Sequence, residues 1–393
     1  MSITPSPPII IGIMSGTSAD GIDVAIVRSG EQLELLQFSE YPMPQKLRKM
    51  VLRLANPGSD NEIDLMGELD RELGHAYADA AVTAIRQAGL QPSDISAIGC
   101  HGQTIRHRPK ASAPFSLQIG CASTLTEITG ITCISDFRSR DIAAGGEGAP
   151  LVPFAHSQLF ASDQHNTAIV NIGGIANITW INSDGYVTGF DIGPGNMLMD
   201  GLMSAITDGK KSFDRNGELA ACGQVCEALL TTLMEHPFLS RTAPKSTGRE
   251  MFGKAIIQQI IDWPELSDAD RLATACCFTA DAIAYSVSLI PQASKSGKKL
   301  VWLICGGGAR NQHLMSLLRE KLAPSTVQST DEVGISAQAV EAISFALLAR
   351  ATLMGAPNTL SAVTGASHDV CGGQITPGNN WPALLQAIPT WPR

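Results

Sequence analysis

Positive charge is scarce in this chain. Its 393 residues hold 28 Lys and Arg against 37 Asp and Glu, a formal net charge of −9. That balance excludes nucleic acid and an anionic membrane as general partners, because both demand a cationic face. Charge of either sign makes up only 17% of the chain and hydrophobic residues 44%, which excludes a disordered or fibrous protein. Paired metal-binding cysteines are missing as well. The nine cysteines are scattered, and Cys222 and Cys226 stand four apart with no second pair and no flanking histidines, so a zinc site is not expected. Cys276 and Cys277 adjoin inside a helical pattern and read as small core residues. The set fits a reduced, cytoplasmic chain. The N-terminal MSITPSPPIII has no basic stretch ahead of its short apolar run, so no signal peptide is expected. Nor does any run approach the roughly 18 apolar residues that cross a bilayer.

What the sequence has is glycine, gathered in turns that follow apolar strands. IIIGIMSGTSADGIDVAIV (residues 9–27) is one such unit; AIVNIGGIANITWI, running on to GFDIGPGN (168–196), is another; LICGGGARN (303–311) is a third. Without a Cβ, glycine lets backbone N–H groups approach phosphate oxygens. Three such turns point to two domains that each supply one jaw of a nucleotide clamp. An acidic protein needs that local field of amides to hold an anion.

The length also calls for two domains. Gly145, Gly146, Gly148 and Pro150 crowd one stretch, the expected boundary or hinge, giving domains 1–145 and 146–393, with a tail able to pack back on the first domain. In the first, hairpin strands at 9–14 and 22–27 precede a helix at 62–87, where Met66, Leu69, Leu73, Tyr77, Ala80 and Ala84 recur at helical spacing. Short strands at 95–100 and 131–134 follow. In the second, a hairpin turns about Gly173–Gly174, a helix starts near Asn196, and helices cover 268–290, the residues after Asn311, and 336–354 around a strand at 300–305. The tail from Pro357 reads as irregular. The expected class is α/β, with mixed sheets flanked by helices in both halves.

The segments MSGTSADGID (14–23), CHGQT (100–104), SDFRSRDIAAGGEGAP (135–150), NIGGIANIT (171–179), GFDIGPGN (189–196), CGGGARN (305–311) and SAQAVEA (336–342) resemble those of the anhydro-N-acetylmuramic acid kinases, a branch of the actin-like ATPase superfamily. The likeness covers nearly the whole chain and departs from the family pattern at Ala19 and Ile192. It implies two actin-like (ribonuclease H-like) domains with ATP in the cleft. The implied reaction opens the 1,6-anhydro ring of 1,6-anhydro-N-acetylmuramic acid with water and phosphorylates O6 from ATP. The product, N-acetylmuramic acid 6-phosphate, belongs to cell-wall recycling. A homodimer is the oligomer implied, with the apolar helices of the second half as its interface.

On this resemblance Asp191 is the general base, an ionised carboxylate at a strand end before Gly-Pro-Gly; capping of the helix near Asn196 is the plainer alternative. The turn holding Gly16, Thr17, Ser18, Ala19, Asp20, Gly21, Ile22 and Asp23 matches the ATP-binding segment, with the Ser15, Thr17 and Ser18 hydroxyls as added donors. Asp20 and Asp23 would repel phosphate unless a cation intervenes, so Mg²⁺ is implied, with Asp20 favoured as its ligand over Asp23. Gly173, Gly174 and Asn177 form the opposing phosphate jaw. Gly306, Gly307, Gly308 and Asn311 meet the adenosine; tight strand–helix packing is the alternative. Sugar contacts fall to His101, Gln103, Asp136, Arg138, Asp141 and Glu147 on loops after strands, with the Arg138 fork suited to the lactyl carboxylate. The cluster Arg106–Lys110 reads as a solvated loop, and Glu341 as a solvent-facing helix position. Two rival functions stand beside this one: a kinase for an ordinary amino sugar without ring opening, and a nucleotide-driven switch of the actin or chaperone type.

Overall fold

The computed structural model describes residues 7–58, 60–291, 293 and 297–392. They divide into two units, Met1–Ala155 with Ala339–Arg393, and His156–Gln338.

In the first unit β1 (Ile9–Met14) and β2 (Gly21–Ser29) form the expected hairpin, and β3 (Leu33–Pro42) pairs antiparallel with β2. Next, β4 (Ala97–Cys100) runs parallel beside β1. A separate ribbon is made by β5 (Gln103–Arg108) and β6 (Phe115–Ile119), and β7 (Cys133–Ser135) lies parallel to β4. The spatial order is therefore β3-β2-β1-β4-β7. The central strands are buried on both faces and are accordingly continuous apolar runs rather than alternating ones. The helix Glu62–Gln87 covers one face with Leu69, Leu73, Tyr77, Ala80 and Ala84, the stripe its 3.6-residue period predicts. Glu62 and Asp64 in its first turn and Arg86 in its last complement the helix dipole.

The second unit repeats the plan. Strands β8 (Asn166–Ile172), β9 (Ile175–Ile181) and β10 (Val187–Pro194) run as an antiparallel meander, and β11 (Leu300–Cys305) and β12 (Thr326–Ser329) are parallel to β8. Its order, β10-β9-β8-β11-β12, matches that of the first sheet strand for strand and sense for sense. The helix Asp268–Ser286 starts at a Ser267/Asp270 capping box and buries Leu272, Ala275, Cys276, Phe278 and Ile283 within this unit. Over Asp268–Leu289 this segment has the length and apolarity of a membrane span, contrary to expectation, yet 67% of its most apolar 18-residue stretch is buried inside the protein.

The division of the chain differs from the expected one. The boundary falls after Ala155, ten residues past the expected 145, and residues 339–393, the last long helix as well as the tail, join the first unit. The reason is packing: the helix Val340–Leu353 lies on β1 and β4, close enough that a Cβ at Gly12 would stand 1.8 Å from the Ala342 carbonyl oxygen and one at Gly99 2.1 Å from that of Phe345. Only glycine permits that approach. The tail is also ordered. It contributes β13 (Gln374–Thr376), antiparallel to β7, and the helix Trp381–Ala387. Asn380 caps the join, its Oδ1 accepting from the Thr132 N–H and hydroxyl at 2.9 and 2.7 Å.

Candidate active site

In the second unit, register places three polar side chains in one row. Asn171 of β8 faces Asn177 of β9, which faces Asp191 of β10, and a β-bulge follows between Asp191 and Gly193. A bulge is where a strand end can re-aim a side chain. The Asp191 N–H donates to the Lys245 carbonyl at 3.1 Å, and its Oδ2 accepts from the Thr247 N–H at 2.9 Å. The carboxylate is thus half-buried and held by backbone, and it does not cap the helix Met197–Ile206.

Around this row the glycine turns knit together. Gly173 accepts from the Asn196 N–H at 2.8 Å and Gly174 from the Gly195 N–H at 2.9 Å, while Asn196 Nδ2 donates to the Ile172 carbonyl at 3.1 Å. The core helix steadies the same turn, for the Thr279 hydroxyl donates to the Gly195 carbonyl at 3.1 Å. Gly306 has φ +77°, and a Cβ there would sit 2.2 Å from Asn171 Oδ1; one on Gly308 would strike Ile172. So packing against β8 fixes these two glycines, and exposed Gly307 alone of the three has open space toward Asn196. Asn311 is engaged as an N-cap, its side-chain oxygen accepting from the Leu314 N–H at 3.0 Å.

In the first unit the β1–β2 turn is clasped from below. The Ser15 hydroxyl donates to the Gly21 carbonyl at 3.0 Å and to Gln103 Oε1 at 2.9 Å, and Gln103 Nε2 donates to the Gly16 carbonyl at 3.0 Å. Gln103 is fully buried at the start of β5 and shapes the turn rather than lying on a loop. Ser15, Ala19 and Ile22 are likewise buried, which leaves Gly16, Thr17, Ser18, Asp20 and Gly21 as the accessible edge. Ala19 takes a left-handed φ of 49°. Burial raises the Asp23 carboxyl to about 7, with Glu40, Glu341 and Asp20 adding like-charge repulsion. Glu341 is half-buried at the start of its helix and acts on Asp23 and Arg138, so the solvent-facing reading is corrected. No group of three or more His, Cys, Asp or Glu placed to hold a metal occurs among the described residues.

Two of the expected sugar contacts meet. Arg138 Nη2 lies 2.8 Å from His101 Nε2. An arginine can only donate, so this imidazole is neutral with its proton on Nδ1. Burial agrees, holding His101 down at about 3, with the Arg138 charge adding to the effect. His101 borders a polar cavity of about 450 Å³, lined also by Gln118, Gly120, Ser135, Asp136 and Gln374, while the backbone of Ser15 and Gly102 acts to raise the imidazole against its burial. Asp136 is fixed by the Ser139 hydroxyl at 2.7 Å and Gln374 Nε2 at 2.9 Å.

The other residues expected to meet the sugar have partners within the first unit. Arg138 Nη1 donates to the Gly148 carbonyl at 2.7 Å, so both ends of its fork are engaged within the unit. Burial lowers it to about 10, still charged at neutral pH. Asp141 is fully buried; its oxygens accept from the Gly148 N–H and the Thr364 hydroxyl, both at 2.7 Å. That carboxylate pins the Gly145–Gly148 loop inside the first unit instead of leaving it a hinge. Glu147 pairs with Lys110 at 3.2 Å, and Arg106 reaches Glu62 at 3.6 Å and the Leu54 carbonyl; residues 106–108 end β5, so the cluster is a strand end whose Arg108 and Lys110 stay exposed and not a loop throughout. The residues that pattern did not reveal are Lys245 and Thr247. They lie in KSTGRE, a polar run with no period and no flanking strand to tie it to Asp191.

Two sheets that share a five-strand order, the first extended by β13, and that each open on a hairpin with a polar, glycine-bearing turn define the actin-like α/β fold. The model of the family "Anhydro-N-acetylmuramic acid kinase" matches residues 8–378. A relative of that name from Vibrio vulnificus (strain CMCP6) is 42% identical over 359 residues, 91% of this chain and 95% of that one. Another from Shewanella loihica is 42% identical over 372 residues, 94% and 98% respectively, and one from Saccharophagus degradans is 42% identical over 378 residues, 94% and 100%. The chain belongs to the anhydro-N-acetylmuramic acid kinase family, and it is accordingly a phosphotransferase that uses ATP.

Proposed function

We propose that the chain hydrolyses the 1,6-anhydro ring of 1,6-anhydro-N-acetylmuramic acid and transfers the γ-phosphoryl group of ATP to the freed O6, giving N-acetylmuramic acid 6-phosphate for cell-wall recycling in the cytoplasm. Within the family match, the observation that carries this reading is the Asp191 carboxylate, half-buried on a bulge with one oxygen held by the Thr247 N–H. A fixed, ionised carboxylate is suited to take a proton from water as that water attacks the anomeric carbon. Asn177 and Asn171 in the same cross-strand row are amide partners for the reacting oxygens. In the second unit the turn Gly173–Gly174, where the Gly173 N–H is taken by the Ile175 carbonyl at 3.2 Å, offers the Gly174 N–H to phosphate, and in the first unit the exposed edge Gly16–Gly21 offers its own backbone N–H groups. His101 and Asp136, bordering the polar cavity, contact the sugar.

Magnesium fits this acidic edge. Asp20 offers the oxygen a hard cation prefers, and a cation near it would relieve the crowding of Asp20, Asp23, Glu40 and Glu341. Bound there with the phosphates, it would neutralise charge on the transferring group. Everything else falls to the chain itself: orientation of the acceptor, removal of one proton, and amide support of developing charge.

A substrate screen tests the reading. ATP consumption is followed with the anhydro sugar, with N-acetylmuramic acid and with N-acetylglucosamine, and the phosphate position is read by NMR. Turnover with the anhydro sugar giving a 6-phosphate supports it. Turnover restricted to ordinary amino sugars, or ATP hydrolysis indifferent to any sugar, refutes it.

A further inference from the structure

The base is held from behind by a buried cation. We propose that Lys245 is a positioning residue for Asp191, a role that rests on Asp191 being the base. Lys245 is only 7% exposed, and its ammonium donates to the Phe238 and Leu239 carbonyls at 3.2 and 3.0 Å. The same nitrogen lies 5.2 Å from the ring centre of Phe190 and 4.7 Å from that of Phe238. It therefore folds the segment 238–245 back on itself and seats it against the ring immediately before the base.

The other end of that segment grips Asp191 directly. The Lys245 carbonyl accepts the Asp191 N–H, and two residues on the Thr247 N–H holds Oδ2. Leu239 meets the bulge itself, since a Cβ at Gly193 would stand 3.1 Å from Leu239 Cδ2. One ammonium thus joins the start of the loop, the aromatic face beside the base and the backbone that orients the carboxylate.

An apolar side chain of the same length would fill the space between the two rings without the cost of desolvating a charge. A buried lysine is retained where its donors are used. Burial lowers the ammonium to about 8; the Asp191 charge acts to raise it and Arg241 to lower it. Attraction is mutual, so the same cation favours the ionised form of Asp191.

The full-length protein is compared as wild type, Lys245→Met, Lys245→Gln, Lys245→Arg and Asp191→Asn, with kinetics in both substrates and thermal unfolding of each. The Met and Gln variants are expected to lose about 30-fold or more in kcat, with KM for ATP and sugar changed less than about threefold. Lys245→Arg, which keeps a cation and its donors, is expected to recover to within about fivefold of wild type. Should the Met variant not fold, the Gln variant carries the same readings. A folded Met or Gln variant with wild-type kcat, or a loss expressed in KM, overturns the proposal. Wild-type turnover by Asp191→Asn would instead remove the reading of Asp191 as base, which a fully active Lys245→Met beside an inactive Asp191→Asn would leave standing.

Discussion

Ser15 and Gln103 meet side chain to side chain at 2.9 Å, although 88 residues separate them. Their contact, with the Gln103–Gly16 bond, sets the shape of the turn between β1 and β2. Gln103→Ala would leave the Gly16 carbonyl with the Ala19 N–H alone and the Ser15 hydroxyl with the Gly21 carbonyl alone. The cost is about 1 kcal/mol of stability for each hydrogen bond lost, measured by urea unfolding. If the turn holds phosphate, KM for ATP should also rise by about tenfold, a loss of about 1.4 kcal/mol in binding, with kcat at saturation less affected. An unchanged KM would show that this turn is not a nucleotide contact.

Glycine's two roles separate by substitution. Gly306→Ala combines a left-handed backbone with a Cβ only 2.2 Å from Asn171 Oδ1, so the loop after β11 must shift. The expected loss is about 2–4 kcal/mol, the sum of the left-handed penalty and overpacking. Gly185→Ala, also left-handed at φ +86° but with nothing within 4 Å, should cost only about 1 kcal/mol. Equal losses in denaturant titrations would contradict the steric argument.

Acid should destabilise the second unit through His156. Burial depresses this imidazole to about 3; its Nδ1 faces the Thr179 hydroxyl at 2.8 Å and its Nε2 is buried without a partner. With the unfolded value near 6.5, the unfolded chain binds the extra proton between those limits. Stability is complete above about pH 6.5 and falls as pH drops, at up to about 1.4 kcal/mol per unit for each such histidine. His101 acts in the same sense in the first unit. His156→Gln should flatten the fall between pH 6.5 and about 5, followed by unfolding across that range. A steeper slope in the variant would contradict the assignment.

How far the sequence could be read depended on whether the determining contacts were local. The helix Glu62–Gln87 and the strands β1 and β11 carry their pattern within themselves, and the structure reproduces their expected ends. That the tail could return to the first unit was open in the sequence, but the assignment of the helix Val340–Leu353 to that unit was not legible, because it depends on Gly12 and Gly99 accepting a helix more than 240 residues later in the chain. Gln103, Arg138 and Asp141 illustrate a second limit. A polar residue just after a strand reads the same whether it meets a ligand or ties down its own chain, and these three tie down their own chain. Lys245 was invisible for the opposite reason. Its partners are main-chain carbonyls and ring faces, which leave no residue pattern.

The central claim is that water opens the anhydro ring as O6 is phosphorylated. Turnover of the anhydro sugar with ATP in ¹⁸O-labelled water, followed by mass and NMR analysis of the product, tests it most directly. The account predicts one labelled oxygen at the anomeric carbon and none in the bond between O6 and phosphorus. A product without label at the anomeric carbon, or one that keeps its anhydro bridge, would contradict it.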